Sequence, residues 1–264
     1  MIPKIIHQTW KDENIPEKWK KAQQDWLNLH PGWEYMLWTD KKIREYISTR
    51  HPDYLALHDS YEYPIQRADM IRYFVLYDYG GVYCDMDMYP MKNIEPYLLN
   101  DIDYFVYSAN GDVITNCFMI SRKNSLIMKK IQENLKKDIP WFAIGKHLHV
   151  LYSTGPLLVN HTLLNDITEP FAILPRRLFN PYSIVNDDHI TDIKESYINT
   201  VDSSSTWNGY DTSIYNFIAK YRTFFIVLGI VSLILIIFFL IHYISKYKKC
   251  RESKESCERS CVKK

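Results

Sequence analysis

Residues 64–87 read PIQRADMIRYFVLYDYGGVYCDMD and contain the most informative local pattern in the chain. The first part predicts a helix over Pro64–Tyr79, because proline is well suited to the first helical turn. Apolar residues recur at helical spacing within it, at Met70, Ile71, Phe74 and Val75. Gly80 stands where helices commonly end in a left-handed residue. A helix and a glycine turn followed at once by an apolar segment indicate an α/β domain.

The end of this stretch, GGVYCDMD, predicts a strand that carries the acidic pair Asp85 and Asp87. Alternation along a strand would place Tyr83 and both acids on one face. At ~3.3 Å per residue the two carboxylates are about 6.6 Å apart, which favours one direct metal ligand and one that acts through water or a sugar hydroxyl. Carboxylate oxygens without a nearby cluster of His or Cys ligands favour Mg²⁺ or Mn²⁺. The pattern therefore predicts a divalent-cation site that binds phosphate.

Asp69 and Arg72 stand three residues apart on the predicted helix, away from its apolar face. An isolated pair of this kind would be an exposed ion pair worth a few tenths of a kcal/mol, on the order of 0.2–0.5. The same helix leads directly into the acidic turn, so both residues are also candidates for the functional site.

Apolar runs of strand length alternate with helix-length segments over roughly the first 210 residues and predict one α/β domain. The remaining predicted elements are strands over 4–6, 33–38, 104–107, 118–121 and 171–174, helices over 17–29 and 124–137, and a helix that starts near Asp40. No internal repeat interrupts this order.

A second feature is an apolar segment near the carboxyl end of the chain: residues 224–241 carry no charged side chain. With its uncharged neighbours the segment can span a bilayer core of ~30 Å at ~1.5 Å per residue. We therefore expect a catalytic or binding domain at 1–211, a linker at 212–222, a single transmembrane helix at 223–244 and a basic, Cys-containing tail at 245–264. The formal net charge is only +1, which argues against nucleic acid as a partner.

The orientation of this single-pass arrangement stays open in the sequence. Basic residues after the span predict a cytosolic tail and a lumenal or external domain. The start of the chain has no signal-peptide pattern, which would instead keep the domain in the cytosol.

The stretch 64–87 resembles the core of glycosyltransferase family 32, and its opening PIQRAD is most similar to the fungal inositol phosphorylceramide mannosyltransferases. Further segments carry the resemblance: IPKIIHQTW from Ile2, WEYMLWTD from Trp33, NCFMIS from Asn116 and YSTGP from Tyr152. The resemblance covers residues 2–211. Near its end the chain keeps Trp207 and Asp211 but lacks a histidine of the family pattern.

This resemblance implies an α/β fold of the GT-A kind, a Rossmann-like nucleotide-sugar-binding domain, and a retaining hexosyl transfer. In the implied site Trp10 stacks on the base of the donor, and Asp69, Arg72 and Asn116 bind its sugar. Asp85 binds the ribose or the sugar and, together with Asp87, a Mn²⁺ or Mg²⁺ ion. Trp207 and Ser205 contact the leaving phosphate. The branch resemblance favours GDP-mannose as the donor and a membrane lipid such as inositol phosphorylceramide as the acceptor. It also favours the Golgi or another endomembrane.

Three alternatives stay open at this stage. One is a UDP-sugar-dependent transferase that acts on a glycan or a protein, and another is a non-catalytic, membrane-tethered sugar-binding protein. The third is a phosphatase of the haloacid dehalogenase kind, with Asp187 and Asp188 as its second acidic pair. In such phosphatases a small hydroxyl residue usually follows the second acid, whereas here Met88 and Tyr89 follow it, so this alternative is disfavoured.

Overall fold

The computed structural model describes residues 1–107, 113–183, 188–189, 193–200 and 210–261. The chain divides into two compact units, Met1–Asp211 and Thr212–Lys264. The first unit contains an α/β sheet and the second is helical.

The helices and strands are numbered here in chain order. The strands are β1 (Ile5–Trp10), β2 (Glu34–Thr39), β3 (Gly81–Cys84), β4 (Met88–Pro90), β5 (Asp103–Tyr107), β6 (Ile114–Ser121), β7 (Phe171–Leu174), β8 (Tyr182–Ser183), β9 (Asp188–His189) and β10 (Ile198–Thr200). The helices are α1 (Glu17–Leu29), α2 (Asp40–Arg50), α3 (Leu55–Ser60), α4 (Pro64–Tyr79), α5 (Leu126–Asn134), α6 (Lys146–Ser153), α7 (Pro156–Asn165), α8 (Arg176–Phe179), α9 (Tyr210–Lys220) and α10 (Arg222–Cys261).

Six strands form a mixed sheet in the order β2-β1-β3-β6-β5-β7. Strand β1 is parallel to β2 and β3, whereas β6 is antiparallel to β3 and to β5. The carboxyl ends of β1, β2 and β3, at Trp10, Thr39 and Cys84, therefore lie along one edge of the sheet, called here the carboxyl edge. Strand β6 begins at this same edge.

The sheet is buried on both faces, as the alternation along β3 shows. Tyr83 packs in a core that includes Phe74 of α4. Val82 and Cys84 point to the opposite face and pack in a second core that includes Trp26 of α1. The predicted α/β class is confirmed by this layered arrangement.

Helix α4 has the predicted bounds. Pro64 occupies its first turn, and the Tyr63 N–H donates to Gln66 Oε1 at 3.0 Å. At the other end Gly80 has φ of 69°, and the chain enters β3 directly. Because β3 returns alongside α4, the amino-terminal half of α4 lies at the carboxyl edge. This places Asp69 and Arg72 next to the end of β3.

The turn between α4 and β3 needs glycine for a steric as well as a conformational reason. A Cβ on Gly81 (φ 101°) would lie 2.5 Å from the Ile5 carbonyl oxygen in β1. Gly81→Ala is expected to lower the free energy of unfolding by at least ~2 kcal/mol, since backbone strain and a clash with a strand act together. Thermal unfolding measures this loss.

Gly32→Ala is the matched control for that change, because Gly32 has φ of 80° but a Cβ at this position would meet nothing within 4 Å. It should cost only about 1 kcal/mol, from backbone strain alone. Equal losses in the two variants would show that the close approach to Ile5 does not matter.

The second unit consists of most of α9 and the long helix α10. The segment Arg222–Tyr247 is the one helix in the described part of the chain that is long and apolar enough to cross a membrane. The predicted linker is mostly helical, since α9 reaches Lys220. Helix α10 continues beyond the predicted transmembrane helix through most of the predicted tail, to Cys261.

Candidate active site

The centre of the candidate site is the guanidinium group of Arg72. Its Nη2 lies 2.6 Å from Asp69 Oδ1, and its Nη1 donates to the Asn116 carbonyl oxygen at 2.7 Å and lies 3.4 Å from Asp85 Oδ1. The guanidinium also stacks over the Tyr83 ring at 4.5 Å from its centroid. Arg72 therefore joins α4 to the end of β3 and the start of β6.

The prediction that Asp69 and Arg72 form an exposed pair is wrong. Their residues are only 5% and 3% exposed. The reason is that α4 is covered on nearly all sides: the buried residues include Gln66 and the whole run from Asp69 to Leu76. A helical position away from the main apolar face is therefore still inside the protein.

Asp69 is held by two further side chains. Thr154 donates its hydroxyl to Asp69 Oδ2 at 3.2 Å, and the Asn116 amide donates to Asp69 Oδ1 at 3.3 Å. The same amide donates to the Tyr73 hydroxyl at 2.8 Å, and this hydroxyl donates to the Thr154 carbonyl oxygen at 2.6 Å. The residues form a buried network that fixes the Asp69 carboxylate.

Asp85 is oriented from the other side of the site. The Tyr83 hydroxyl donates to Asp85 Oδ1 at 2.9 Å, and Thr9 Oγ1 lies 3.0 Å from that hydroxyl. The Gln8 side-chain amide donates to the Asp85 carbonyl oxygen at 3.3 Å. Side chains of β1 and β3 thus set the position of the first acid of the DxD motif.

The acidic motif lies on a turn and not on the strand. Strand β3 ends at Cys84, and the Met88 N–H donates to the Asp85 carbonyl oxygen at 3.1 Å. The prediction that Asp85 and Asp87 share a strand face is therefore wrong. The chain leaves the main sheet at Asp85 because the next strand, β4, pairs with β10 in a separate two-stranded sheet.

The donor chemistry at this turn fits a hard divalent cation. Asp85 and Asp87 supply carboxylate oxygens, and both residues are partly accessible. Within the described part of the chain, no three His, Cys, Asp or Glu side chains come together as a metal site. The two acids would thus form an incomplete ligand set, of the kind that a substrate phosphate and water complete.

Trp10 lies at the carboxyl edge beside this turn. It is partly buried, its indole N–H donates to the Asn14 carbonyl oxygen at 3.2 Å, and it packs beside a cluster that contains Met86, the central residue of the motif. The structure thus brings Trp10, Asp69, Arg72, Asp85 and Asn116 to one edge. Trp207 and Ser205 lie outside the described residues, as does Asp187, so their predicted roles stay predictions.

A cavity of about 310 Å³ also opens near this edge. Asp40, the first residue of α2, and Arg67, in the first turn of α4, contribute to its lining, together with Ile43, Arg44, His58 and Asp59. The backbone N–H of Asp40 donates to the Lys11 carbonyl oxygen at 3.3 Å, directly after Trp10. The sequence analysis predicted none of these residues as functional.

Sequence reasoning also missed three residues of the network: Tyr73, Tyr83 and Thr154. A signal existed for two of them, because Tyr83 precedes Asp85 by two residues and Thr154 is part of the YSTGP segment. Tyr73 has no local signal, since its role depends on a contact with the start of β6. His7 is a buried residue that accepts from the Trp38 indole N–H at 3.1 Å.

Burial dominates the electrostatics of the cluster. It raises the pKa of Asp69 from 3.8 to about 6, against the opposing effects of Arg72, Thr154 and Asn116, while the charge of Asp85 adds to the increase. Burial also raises the pKa of Asp85, opposed by Arg72 and Tyr83. For Arg72 burial disfavours the charge, but Tyr83, Asp85 and Asp69 outweigh it and raise its pKa. The arginine stays charged between two carboxyl groups that are costly to ionise.

The raised pKa of Asp69 predicts a pH dependence of stability. Its pKa is about 6 in the folded state and 3.8 as the ordinary value, so between these pH values the folded state binds a proton that the unfolded state has lost. The stabilisation of the folded state by this proton is present below about pH 4 and is lost as the pH rises through about 6. The melting temperature of the wild type relative to that of Asp69→Asn should therefore fall as pH rises from about 4 to 7.

Asp59→Asn is the control for this pH series, because Asp59 is exposed and its pKa is lowered to about 2, chiefly by hydrogen bonds from Arg44 and His58. Asp59 is ionised in the folded protein from pH 4 to 7. The difference in melting temperature between the wild type and Asp59→Asn should therefore change little with pH. A flat difference for Asp69→Asn as well would contradict a raised Asp69 pKa.

Comparison with known proteins gives the class of this site. Residues 16–105 match the family model described as "Glycosyltransferase sugar-binding region containing DXD motif". The matched region includes Asp69, Arg72, Asp85 and Asp87. It ends before Asn116 and Thr154.

Full-length relatives extend the match over nearly the whole chain. Inositol phosphoceramide mannosyltransferase 3 of Schizosaccharomyces pombe is 35% identical over 248 residues, which cover 93% of this chain and 67% of that protein. Mannosyl phosphorylinositol ceramide synthase SUR1 of Saccharomyces cerevisiae is 40% identical over 161 residues, 61% of this chain and 41% of that protein. The chain thus spans about two thirds of the first relative and less than half of the second.

The chain belongs to the DXD-containing glycosyltransferases of family 32, and it is a hexosyltransferase. Among solved structures, the PaToxG glycosyltransferase matches with a TM-score of 0.45 at 20% identity, over 63% of this chain and 70% of that chain. Family membership and the mixed sheet together confirm the predicted GT-A-like α/β class. A phosphatase is excluded by the same finding.

Proposed function

We propose that this chain is a membrane-anchored, divalent-cation-dependent mannosyltransferase that moves mannose from GDP-mannose to a lipid with an inositol phosphoceramide headgroup, with retention of configuration. The observation that carries the proposal is the buried Asp69–Arg72 pair beside Asp85 of the DxD turn. Relatives that share the chain's sequence over most of its length carry the names of inositol phosphoceramide mannosyltransferases.

The arrangement of charges supports a donor that arrives with a cation. Asp69 and Asp85 both lie beside Arg72, and Asp87 follows two residues after Asp85 on the same turn. A bare nucleoside diphosphate would be repelled by this cluster. A divalent cation held by Asp85 and Asp87 would supply the charge that stabilises the departing diphosphate.

The residues around Arg72 would orient the sugar. Asp69 presents a carboxylate fixed by Thr154 and Asn116, and a fixed carboxylate is a good acceptor for a pair of sugar hydroxyls. Arg72 holds Asp69 and Asp85 at defined positions relative to each other. The chain's own contribution is therefore pre-organisation of the donor, which lowers the entropic cost of reaching the transition state.

The other proposed parts come from the sequence. Trp10 would stack on the base, and Ser205 and Trp207 would donate hydrogen bonds to the leaving phosphate. The apolar segment Arg222–Tyr247 would anchor the chain in an endomembrane, the Golgi by resemblance, and so keep the enzyme next to a lipid acceptor. Confinement to the membrane raises the effective concentration of such an acceptor.

The test is transfer by the full chain in vesicles that contain inositol phosphorylceramide. With GDP-mannose and Mn²⁺ we expect a mannosylated lipid, and with EDTA we expect loss of transfer and of donor binding by calorimetry. UDP-sugars are tested as alternative donors in the same assay. Transfer from a UDP-sugar in place of GDP-mannose, or equal donor affinity in EDTA and Mn²⁺, would contradict the proposal.

A further inference from the structure

An exposed apolar segment lies outside the candidate active site. Residues 139–144 read IPWFAI and are called here the apolar loop. Trp141 is 89% exposed, Ile144 77% and Phe142 48%. Single exposed apolar residues are common, but a contiguous group with a tryptophan indicates an interaction surface.

The apolar loop has a defined shape that keeps these side chains outside. The Ala143 N–H donates to the Pro140 carbonyl oxygen at 2.9 Å, and the Ala143 side chain is buried. The Phe142 ring packs edge-on against Tyr152 of α6, with centroids 5.6 Å apart. The loop is thus fixed at its base while Trp141 and Ile144 project from it.

A hydrogen bond connects the segment after the apolar loop to the last residue of the first unit. Directly after it, the His147 N–H donates to Asp211 Oδ2 at 2.6 Å. Asp211 is the last residue of the first unit and lies in the first turn of α9. The rest of α9 and Tyr221 separate Asp211 from Arg222, where the segment able to cross a membrane begins.

Helix α9 carries an apolar stripe of its own. Ile214, Phe217 and Ile218 lie at the spacing of one helical face, Tyr221 follows directly after the helix, and all four are exposed. Helices with such a stripe commonly lie in the interface of a membrane. An exposed apolar stripe immediately before a membrane-spanning segment points to lipid as the neighbour of this part of the chain.

The apolar loop is also linked to the active site through α6. This helix starts at Lys146, just after the loop, and its 8 residues end at Ser153, so at ~1.5 Å per residue it is ~12 Å long. The next residue, Thr154, donates to Asp69 at 3.2 Å. A membrane contact at the loop would therefore lie about one short helix away from the site of transfer.

We propose that the apolar loop inserts into the lipid–water interface and sets the distance between the carboxyl edge and the membrane surface. Tryptophan is enriched at this interface. Lysines flank the loop in the sequence at Lys136, Lys137 and Lys146, and of these Lys137 also pairs with Asp166 at 3.1 Å. Insertion itself is independent of the reaction. Its benefit, access of a lipid headgroup to Asp69 and Arg72, rests on the proposed function.

Tryptophan quenching in membranes tests the insertion. The full chain is reconstituted in phosphatidylcholine–phosphatidylserine vesicles whose acyl chains carry bromine near the headgroup. We expect a quenched component of the emission that disappears in Trp141→Phe. Leu99→Trp is the control, because Leu99 is exposed beside the start of β1, at the opposite edge of the sheet, and should add unquenched emission.

Equal quenching of the wild type and of Trp141→Phe would overturn the proposal. So would an unquenched Trp141 whose replacement changes the oligomeric state of the chain, since the loop would then be a protein interface.

A second variant tests the consequence for catalysis. Trp141→Ser/Ile144→Ser removes the two most exposed apolar side chains of the loop and should leave the melting temperature unchanged. We expect transfer to vesicle lipid to fall about tenfold while hydrolysis of the donor is unaffected. Unchanged transfer to vesicle lipid would refute this role. Absence of transfer from GDP-mannose to lipid in the wild type would instead contradict the proposed function and leave the quenching result in place.

Discussion

Replacement of Arg72 by alanine should both destabilise the protein and abolish transfer. The side chain is 3% exposed and contacts Asp69, Asp85 and the Asn116 carbonyl oxygen. Removal of one partner from a buried ion pair typically costs about 3–5 kcal/mol, because the remaining charge is left without compensation. For a domain of this size the melting temperature should fall on the order of 10 °C.

Arg44→Ala is the matched control for Arg72→Ala. Arg44 also pairs with an aspartate, Asp59, at 2.8 Å, but both side chains are exposed. Its loss should cost less than about 1 kcal/mol. If the two alanine variants melt at the same temperature, burial of the Asp69–Arg72 pair has no energetic consequence.

Arg72→Lys separates the catalytic role from folding in case the alanine variant does not fold. Lysine keeps the positive charge, but one ammonium group cannot contact Asp69, Asp85 and Asn116 in the geometry of a planar guanidinium. We expect a folded protein whose kcat/KM is reduced about 100-fold, as for other small misplacements of reacting groups. Wild-type turnover in this variant would show that Arg72 only supplies charge.

Local patterns in the sequence were sufficient for most secondary structure. The helices over Glu17–Leu29 and Pro64–Tyr79 have the predicted bounds, and the strand over Phe171–Leu174 does as well. Strand β1 is longer than predicted and reaches Trp10, because β2 pairs with it along its whole length. Pairing partners are distant in the sequence, so strand ends depend on information that no local pattern contains.

The burial of Asp69 and Arg72 shows that sequence patterns alone do not predict which polar residues are buried. Sequence reasoning assigned one apolar face to α4 and left the other to solvent. In the structure α4 has neighbours on several sides, and the polar positions meet Asn116 and Thr154, which are 47 and 85 residues from Asp69 in the chain. Polar residues within a covered helix look like surface residues until their partners are known.

The acidic motif was identified correctly from the sequence although its predicted geometry was wrong. Asp85 and Asp87 were singled out by residue type and by family resemblance, and the family match includes them. Their placement on a strand was wrong, because the pairing of β4 with β10 draws the chain out of the sheet at Asp85. The chemistry of a site can thus be read from residue types where its shape cannot.

Asp87→Ala is expected to have the opposite signature to Arg72→Ala: loss of activity with little loss of stability. Asp87 is half-buried on the turn after β3. Substitutions at such partly exposed positions usually change stability by no more than about 0.5 kcal/mol. As the second proposed cation ligand, however, Asp87 should be required for transfer, and kcat/KM should fall at least ~10³-fold.

Thermal shifts with ligand separate these two effects. GDP with Mn²⁺ should raise the melting temperature of the wild type, because binding to the folded state stabilises it. The same addition should leave Asp87→Ala unchanged, while the exposed control Asp53→Ala should respond like the wild type. A Mn²⁺-dependent shift of wild-type size in Asp87→Ala would remove this carboxylate from the cation site. Asp85 would then be the one acid of the motif left to act directly on the donor.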